Sequence, residues 1–248
     1  MSRIDSVYCL LFTTQTMKDL SRLEKTIEVV FNNLDLLRQS VVHRSYLNEN
    51  PNFHLPHNER LEFLGDAVLE IIVTDYLYYN FPNTPEGDLT NWRASLVNSK
   101  MLAKIAREID LEDYLYLSKG EAKDNNSKAR QYILANAMEA LIGAIYLDQG
   151  LKAAEKFVKK RILSKLDDIL KNKLYQDPKS KFQEKAQETY RITPHYRVLK
   201  ETGPDHAKVF EVGLYLGEEL VSHGKGTSKQ EAQVDAAQKG LKKKKWDR

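Results

Sequence analysis

The first two thirds of the chain repeat apolar positions with the 3.6-residue period of amphipathic helices. The repeat runs from residue 17 to about residue 172, interrupted only by short polar connections, and it predicts an all-α domain. We predict its helices at residues 17–31, 35–43, 58–80, 88–107, 130–148 and 151–171. A stretch rich in Lys, Asn, Asp and Gly at 118–129 predicts an exposed loop.

Beyond a polar hinge at 171–178, the period changes from that of a helix to that of strands. Residues 179–190 are helical in pattern, and Thr227 or Ser228 can cap a last helix at 228–243. Between them, three segments alternate as strands do: 195–201, 209–216 and 218–223. The predicted fold class is therefore α+β, with an all-α domain at 17–172 and a small α-β-β-β-α domain at 178–248.

Residues 1–16 stand apart as an N-terminal extension. Their apolar run at 7–12 is far too short to span a bilayer, although an interfacial anchor is an alternative interpretation. The single cysteine, Cys9, excludes an internal disulfide framework and a cysteine-based zinc cluster. We therefore expect a cytoplasmic protein with no membrane partner.

The two predicted domains differ in net charge. Residues 1–177 carry 23 Lys and Arg against 25 Asp and Glu, whereas residues 178–248 carry 15 against 10, a net +5. A basic C-terminal domain of this kind predicts a module that binds a polyanion. The larger, mildly acidic domain is expected to have a different function.

Residues 57–69 place three carboxylates on one face of a predicted helix. At about 100° per residue, Glu59, Glu62 and Asp66 fall within a narrow arc, and the only nearby cation, Arg60, points away from it. The opposite side is apolar, with Leu61, Leu64 and Val68. Because Mg²⁺ takes carboxylate oxygens, a metal is the natural counter-charge. The alternative is a solvated acidic face formed by chance.

A second predicted helix carries Asn136 and Glu139 on one face. Small residues follow at the spacing that lets another helix approach closely: Ala140, Gly143 and Ala144. If the two faces oppose each other, the acids surround one cavity and raise one another's pKa values unless a cation binds. A metal held there can activate water and stabilise an in-line displacement at phosphorus, which indicates phosphodiester hydrolysis.

These segments resemble a known family. The run His-Asn-Glu-Arg-Leu-Glu-Phe-Leu-Gly-Asp-Ala-Val-Leu at 57–69 looks like the signature of the ribonuclease III family, the double-strand-specific endoribonucleases. Further pieces agree in order and spacing at 43–45, 86–88, 93–97 and 135–148, and the resemblance extends over nearly all of the chain from residue 17.

The resemblance implies roles for individual residues. It makes Glu62, Asp66 and Glu139 the principal acids of a metal site for Mg²⁺, with Mn²⁺ as a substitute and no small-molecule cofactor. Glu59 and Glu86 match positions implicated in the same catalytic valley, either closer to the substrate or behind the metal ligands. Phe63 matches a residue inserted into a socket of a second subunit, which implies a homodimer, whereas periodicity alone favours an ordinary core aromatic.

Two residues leave alternatives open. Where the family most often has aspartate, this chain has Asn136, whose amide oxygen can ligate Mg²⁺ without adding charge. The consequence is either a higher Mg²⁺ requirement or a noncatalytic scaffold that binds duplex RNA without cutting it. His43 is a candidate general base, but a lone histidine beside Arg44 and Ser45 more often has a structural hydrogen bond.

The basic domain resembles a double-stranded RNA-binding domain, with three contact regions. The first lies on a predicted helix face, the second in a loop, and the third at a helix start. The predicted RNA-binding residues are Lys179, Ser180, Gln183, Glu184, Gln187, His206, Lys225, Thr227, Ser228 and Lys229. Each segment alone could be a solvated polar turn. No row of exposed aromatics suited to single-stranded bases is evident.

The sequence thus predicts a dimeric, Mg²⁺-dependent endoribonuclease that cuts both strands of duplex RNA. As the family does, it would leave 5′-phosphate and 3′-hydroxyl ends. Precursors of ribosomal RNA and structured messenger and transfer RNA are the substrates that the resemblance implies.

Overall fold

The computed structural model describes residues 18–124, 127–173, 175, 177–204 and 208–246. They pack as two compact units, one of residues 18–89 with 96–166 and one of residues 90–95 with 167–246. The extension at 1–16 lies outside the described residues. Within the described part of the chain, no helix combines the length and the apolar character needed to cross a membrane.

The predicted all-helical domain is helical in the structure. Its helices, numbered in chain order, are α1 (Ser21–Ile27), α2 (Leu34–Ser40), α3 (Arg44–Glu49), α4 (Glu59–Asn80), α5 (Glu86–Val97), α6 (Ser99–Glu108), α7 (Lys119–Lys123), α8 (Lys128–Gln149), α9 (Leu151–Arg161) and α10 (Leu166–Lys171). Short 3₁₀ turns occupy Leu111–Tyr114 and Leu163–Lys165.

The two longest helices, α4 and α8, pack against each other at glycines. A Cβ added to Gly65 would stand 1.8 Å from the backbone oxygen of Glu139, and one added to Gly143 would stand 2.3 Å from that of Leu61. Only glycine permits this approach, in which backbone meets backbone. Leu69, Leu134 and Met138, all fully buried, fill the core around the two helices.

Some predicted helix bounds were wrong for identifiable reasons. The helix predicted at 17–31 ends at Ile27, because Glu28 takes a left-handed conformation with φ of 59°. Val29 and Phe31 are nevertheless buried, so they continue the apolar pattern from a loop. The helix predicted at 88–107 is two helices, since the Asn98 side chain accepts a hydrogen bond from Met101 N at 3.0 Å and caps α6.

Three further predicted elements have different bounds in the structure. The segment predicted as one helix at 35–43 stops at Ser40, and the unpredicted α3 begins after His43. The helix predicted at 151–171 is α9, a 3₁₀ turn and α10. The loop predicted at 118–129 contains the short helix α7, capped by the Ser118 side chain.

The second unit has the predicted α-β-β-β-α order. It consists of α11 (Pro178–Tyr190), β1 (His195–Thr202), β2 (Val209–Leu216), β3 (Glu219–Gly226) and α12 (Lys229–Lys244). The strands form one antiparallel sheet in the order β1-β2-β3, with Val212 paired to Val198 and to Gly224. Phe182, Leu214 and Ala236 are fully buried between the sheet and the helices. Ser228 caps α12 by accepting from Glu231 N at 3.1 Å.

Candidate functional site

The packing of α4 on α8 brings acids of both helices into one electrostatic cluster. Burial and, in decreasing order, the negative charges of Asp66, Glu62 and Glu70 together raise the pKa of Glu139 to about 7. No cation contributes to this shift. Negative charge is therefore concentrated around Glu139, and repulsion between these carboxylates favours its protonated form.

Asn136 and Glu59 both influence the pKa of Glu62. Burial raises the pKa of Glu62 above its usual value, Glu59 raises it further, a hydrogen bond from Asn136 lowers it, and Asp66 raises it. The amide of Asn136 is the donor in this bond, because an ionised carboxylate can only accept. Asn136 thus lies in contact with the cluster and holds one of its acids.

The other two predicted acids lie at or beyond the edge of this cluster. Glu59 is 3.5 Å from the Arg44 guanidinium and 3.7 Å from His57, so its charge is partly compensated. Glu86 lies in the first turn of α5 and is exposed. The interactions that shift the pKa values of Glu62 and Glu139 do not include it.

The donor set suits a hard divalent cation. It offers carboxylate and amide oxygens, with repulsion that a bound cation would relieve. In the described residues, no three His, Cys, Asp or Glu side chains already converge closely enough to hold a metal ion. A metal ion shared by Glu62, Asp66 and Glu139 would therefore need these side chains to rotate toward one another.

Sequence reasoning missed Glu70. This residue follows Asp66 by one turn of α4 and contributes to the raised pKa of Glu139. Its helical phase could have identified it, because residues four apart share a helix face.

His43 has a structural role. Its Nδ1 accepts a hydrogen bond from Ser45 N at 3.3 Å and lies 2.8 Å from Ser45 Oγ, which makes it the N-cap of α3. Burial lowers its pKa below the usual value. A structural role in hydrogen bonding therefore accounts for these contacts of His43, and they require no catalytic role.

Phe63 is not a core aromatic. It lies between the acids on α4, and 82% of its surface is exposed. Two other large apolar residues of α4, Ile71 and Tyr78, are 57% and 66% exposed. At about 100° per residue these three fall within about 80° of one another, so they form one apolar stripe along the helix.

The first predicted RNA-contact region forms a common surface. Ser180, Gln183, Glu184 and Gln187 line one shallow depression on α11. Lys179 turns elsewhere, since its Nζ donates to the Gln233 side chain at 2.7 Å and lies 5.3 Å from the Tyr196 ring centre.

The third region spans the end of β3 and the start of α12, so it is not wholly a helix start. Lys225 belongs to β3 and lies 3.5 Å from Glu211. Thr227 bonds to the Glu231 side chain, and Lys229 lies 3.5 Å from Glu201. His206, the residue predicted for the second region, lies outside the described residues.

Comparison with known proteins matches both units. A family model described as ribonuclease-III-like matches residues 33–166, and one described as a double-stranded RNA binding motif matches residues 178–244. "Ribonuclease 3" of Borreliella afzelii is 43% identical over 98% of this chain and 97% of the relative. "Ribonuclease 3" of Enterococcus faecalis is 42% identical over 90% and 96%.

A solved structure agrees with the first unit. The nuclease domain of ribonuclease III from Campylobacter jejuni superposes with a TM-score of 0.52 at 36% identity. The match covers 59% of this chain and 97% of that domain.

Proposed function

The chain belongs to the ribonuclease III family and is a double-stranded-RNA-specific endoribonuclease, and we propose that its cutting site is the acid cluster between α4 and α8. In this proposal, Glu62, Asp66, Asn136 and Glu139 hold a divalent metal ion. Glu59 and Glu86 lie closer to the RNA. The observation that carries the proposal is the close approach of α4 and α8 at Gly65 and Gly143, which brings Asp66, Glu62 and Glu70 near the buried Glu139. Burial and these three carboxylates raise the pKa of Glu139 to about 7.

Mg²⁺ is the proposed metal, with Mn²⁺ as a substitute. When bound, it lowers the pKa of an attacking water and neutralises charge on the phosphate oxygens. The chain's own contribution is to hold the acids on two helices whose backbones touch at Gly65 and Gly143. Asn136 keeps Glu62 oriented by hydrogen bonding. The expected products carry 5′-phosphate and 3′-hydroxyl ends.

The noncatalytic scaffold is the less favoured function. Asn136 is the only feature that supports it, and Glu62, Asp66 and Glu139 are all present. The curated relatives of this chain are named as ribonucleases. As substrates we propose precursors of ribosomal RNA and structured messenger and transfer RNA, in the cytoplasm.

We further propose that the enzyme is a homodimer. The exposed stripe of Phe63, Ile71 and Tyr78 is the supporting observation, because apolar surface of this kind is usually covered by a partner. The solved C. jejuni nuclease domain is described as having a region involved in dimer formation. A dimer would provide one acid cluster for each strand of a duplex.

For the second unit, we propose that the depression on α11 and the start of α12 contact the RNA. Gln183, Glu184 and Gln187 suit the 2′-hydroxyls and base edges of a minor groove. Ser228 and Lys229 suit phosphates. His206 remains the proposed contact of the second region.

A metal titration with an Asn136 variant tests the cutting site. We expect cleavage of a long RNA duplex to be absent in EDTA and to appear as Mg²⁺ is added. Asn136→Asp should shift the half-maximal Mg²⁺ concentration downward, because it adds a charged ligand. The measurement is the initial cleavage rate at each Mg²⁺ concentration.

The matched control is Gln131→Glu, the same amide-to-acid change on α8, at a residue whose side chain bonds to Ser99. It should leave the Mg²⁺ requirement unchanged. An Asn136→Asp curve that coincides with wild type would remove Asn136 from the metal site. No product at any Mg²⁺ concentration, with RNA binding intact, would favour the scaffold.

A further inference from the structure

Helix α8 presents a solvent-accessible side in its first half. Most of its residues there are buried: Arg130, Ile133, Leu134, Ala135, Ala137, Met138 and Ala140. Lys128, Ala129 and Tyr132 are exposed, and Gln131, Asn136 and Glu139 are partly exposed. At about 100° per residue Lys128, Tyr132, Asn136 and Glu139 fall within about 80° of one another, with Ala129 and Gln131 on either side of them. One strip therefore leads from a cation, through an aromatic ring, to the acid cluster.

Tyr132 is the unexplained member of this strip. Its side chain is 48% exposed, although it lies on a helix that is otherwise the most buried of its unit. It precedes Asn136 by one helical turn. Because helical side chains lean toward the N-terminus, we expect its ring to lie over the Lys128 turn and not over the acids. The Cα atoms of residues 132 and 139 are separated by about 10 Å along the helix axis.

We propose that Tyr132 binds the RNA strand beside the linkage that is cut. Its ring lies against a ribose, its hydroxyl donates a hydrogen bond to a non-bridging oxygen of a neighbouring phosphate, and Lys128 attracts the next phosphate. This inference rests on the proposed function, because it takes the acid cluster as the cutting site. The occupant follows from the order of charges along the strip: Lys128 would attract a polyanion, and the acids that would hold the metal ion lie further along the same side of the helix.

The contact would set position without reading sequence. A phenol hydroxyl and an ammonium group recognise phosphate oxygens that every nucleotide carries. Tyr132 therefore helps to fix which linkage faces the acids, whichever bases are present.

Kinetics of Tyr132 variants provide the first test. Single-turnover cleavage of a short RNA duplex gives the half-saturating enzyme concentration and the maximal rate. Tyr132→Phe should raise the half-saturating concentration about 3- to 10-fold through the lost hydrogen bond, with the maximal rate nearly unchanged. Tyr132→Ala, which also removes the ring, should raise it further. The matched control is Tyr79→Phe, which removes the same hydroxyl from a tyrosine of α4 that is 72% exposed.

A scan of the RNA backbone provides the sharper test. Duplexes that each carry one uncharged methylphosphonate linkage are bound to the Glu139→Gln chain and to the same chain with Tyr132→Phe, by fluorescence anisotropy. At one linkage beside the cut, neutralisation should weaken binding to the first chain several-fold and have little further effect on the second. Such non-additivity identifies two groups that touch each other.

The outcomes separate this inference from the proposed function. Additive effects at every linkage, or Tyr132→Phe and Tyr79→Phe behaving alike, would overturn the Tyr132 contact even if wild type cuts RNA normally. Failure of wild type to cut any duplex would overturn the proposed function, and the anisotropy scan would still decide on Tyr132.

Discussion

Glu139 is an unusually weak acid because it is buried and lies close to other carboxylates. It is a glutamate on a buried helix, faced by Asp66, Glu62 and Glu70 of α4, and its pKa is raised to about 7. Near neutral pH, a metal ion at the proposed site would therefore compete with a proton for this carboxyl group. Titration of the same carboxyl group makes the stability of the metal-free protein depend on pH.

The metal-free protein should become less stable as pH rises from about 5 to 7. Because the pKa of Glu139 is raised to about 7 in the folded state, the folded chain binds more protons than the unfolded chain in that window. The free energy of unfolding should fall by roughly 1 to 2 kcal/mol, after allowance for solvent screening. Urea denaturation in EDTA at several pH values measures this free energy of unfolding.

The control for this pH effect is Glu139→Gln, which cannot titrate at residue 139. Its free energy of unfolding should fall less over the same window, with only the smaller contribution of Glu62 and other groups remaining. Parallel pH curves for the two proteins would show that Glu139 has an ordinary pKa.

At the scale of residues, the sequence predicted the positions of the acidic residues better than the contacts that they make. Helical phase placed Glu62, Asp66 and Glu139 correctly on facing helices, since a fixed angle per residue is a local property. The exposure of Phe63 could not be predicted from periodicity, because an apolar residue has the same pattern whether it faces its own core or a partner. The hydrogen bond from Asn136 to Glu62 depends on how two helices pack.

At the scale of elements, the site depends on how closely α4 and α8 approach. Gly65 and Gly143 let the two backbones meet, which sets the separation of Asp66 and Glu139. A larger residue at either position forces the helices apart and disturbs both packing and site.

Gly65→Ala tests this dependence. Its Cβ would stand 1.8 Å from the Glu139 oxygen, so we expect the free energy of unfolding to fall by at least about 2 kcal/mol, with loss of cleavage. Urea denaturation measures the first effect. Gly87→Ala on α5 is the control, because nothing lies within 4 Å of its new Cβ. It should be neutral or stabilising by about 0.5 to 1 kcal/mol. Equal stability of the two variants would contradict the close contact.

The sequence predicted long, strongly periodic elements better than short ones. The helices predicted at 58–80 and 130–148 correspond to α4 and α8, whose apolar faces are continuous over many turns. The break at Asn98 was missed because the apolar pattern continues through α5 and α6 while the side chain caps the second helix. The end of α1 depends on a single left-handed residue, Glu28, which no periodicity reveals.

At the scale of the whole molecule, two cuts on one duplex require two acid clusters. The part of the chain that the structure describes contains one such cluster, and the apolar stripe of Phe63, Ile71 and Tyr78 begins between its acids. A second copy that covers this stripe would bring a second cluster to the same RNA. Dimerisation is therefore tied to the proposed mode of cutting.

Phe63→Ser should weaken the dimer. Burial of a phenylalanine side chain contributes about 1.5 to 3 kcal/mol, and the residue occurs twice in a symmetric interface. We expect light scattering on a sizing column to show a shift toward the mass of one chain at micromolar concentration. Val30→Ser, at a residue that is 78% exposed outside the stripe, is the control and should not change the mass. A Phe63→Ser protein with the wild-type mass would remove this stripe from the interface.

The most direct measurement of the central claim is duplex cleavage and duplex binding by Glu139→Gln, side by side with Glu155→Gln. Glu155 pairs with Lys159 on the surface of α9 and serves as the neutral acid-to-amide control. If the acid cluster is the cutting site, Glu139→Gln should lose at least about a hundredfold in cleavage rate at saturating Mg²⁺ and bind duplex RNA as wild type does. Cleavage at the wild-type rate by Glu139→Gln, or loss of binding together with cleavage, would contradict the account.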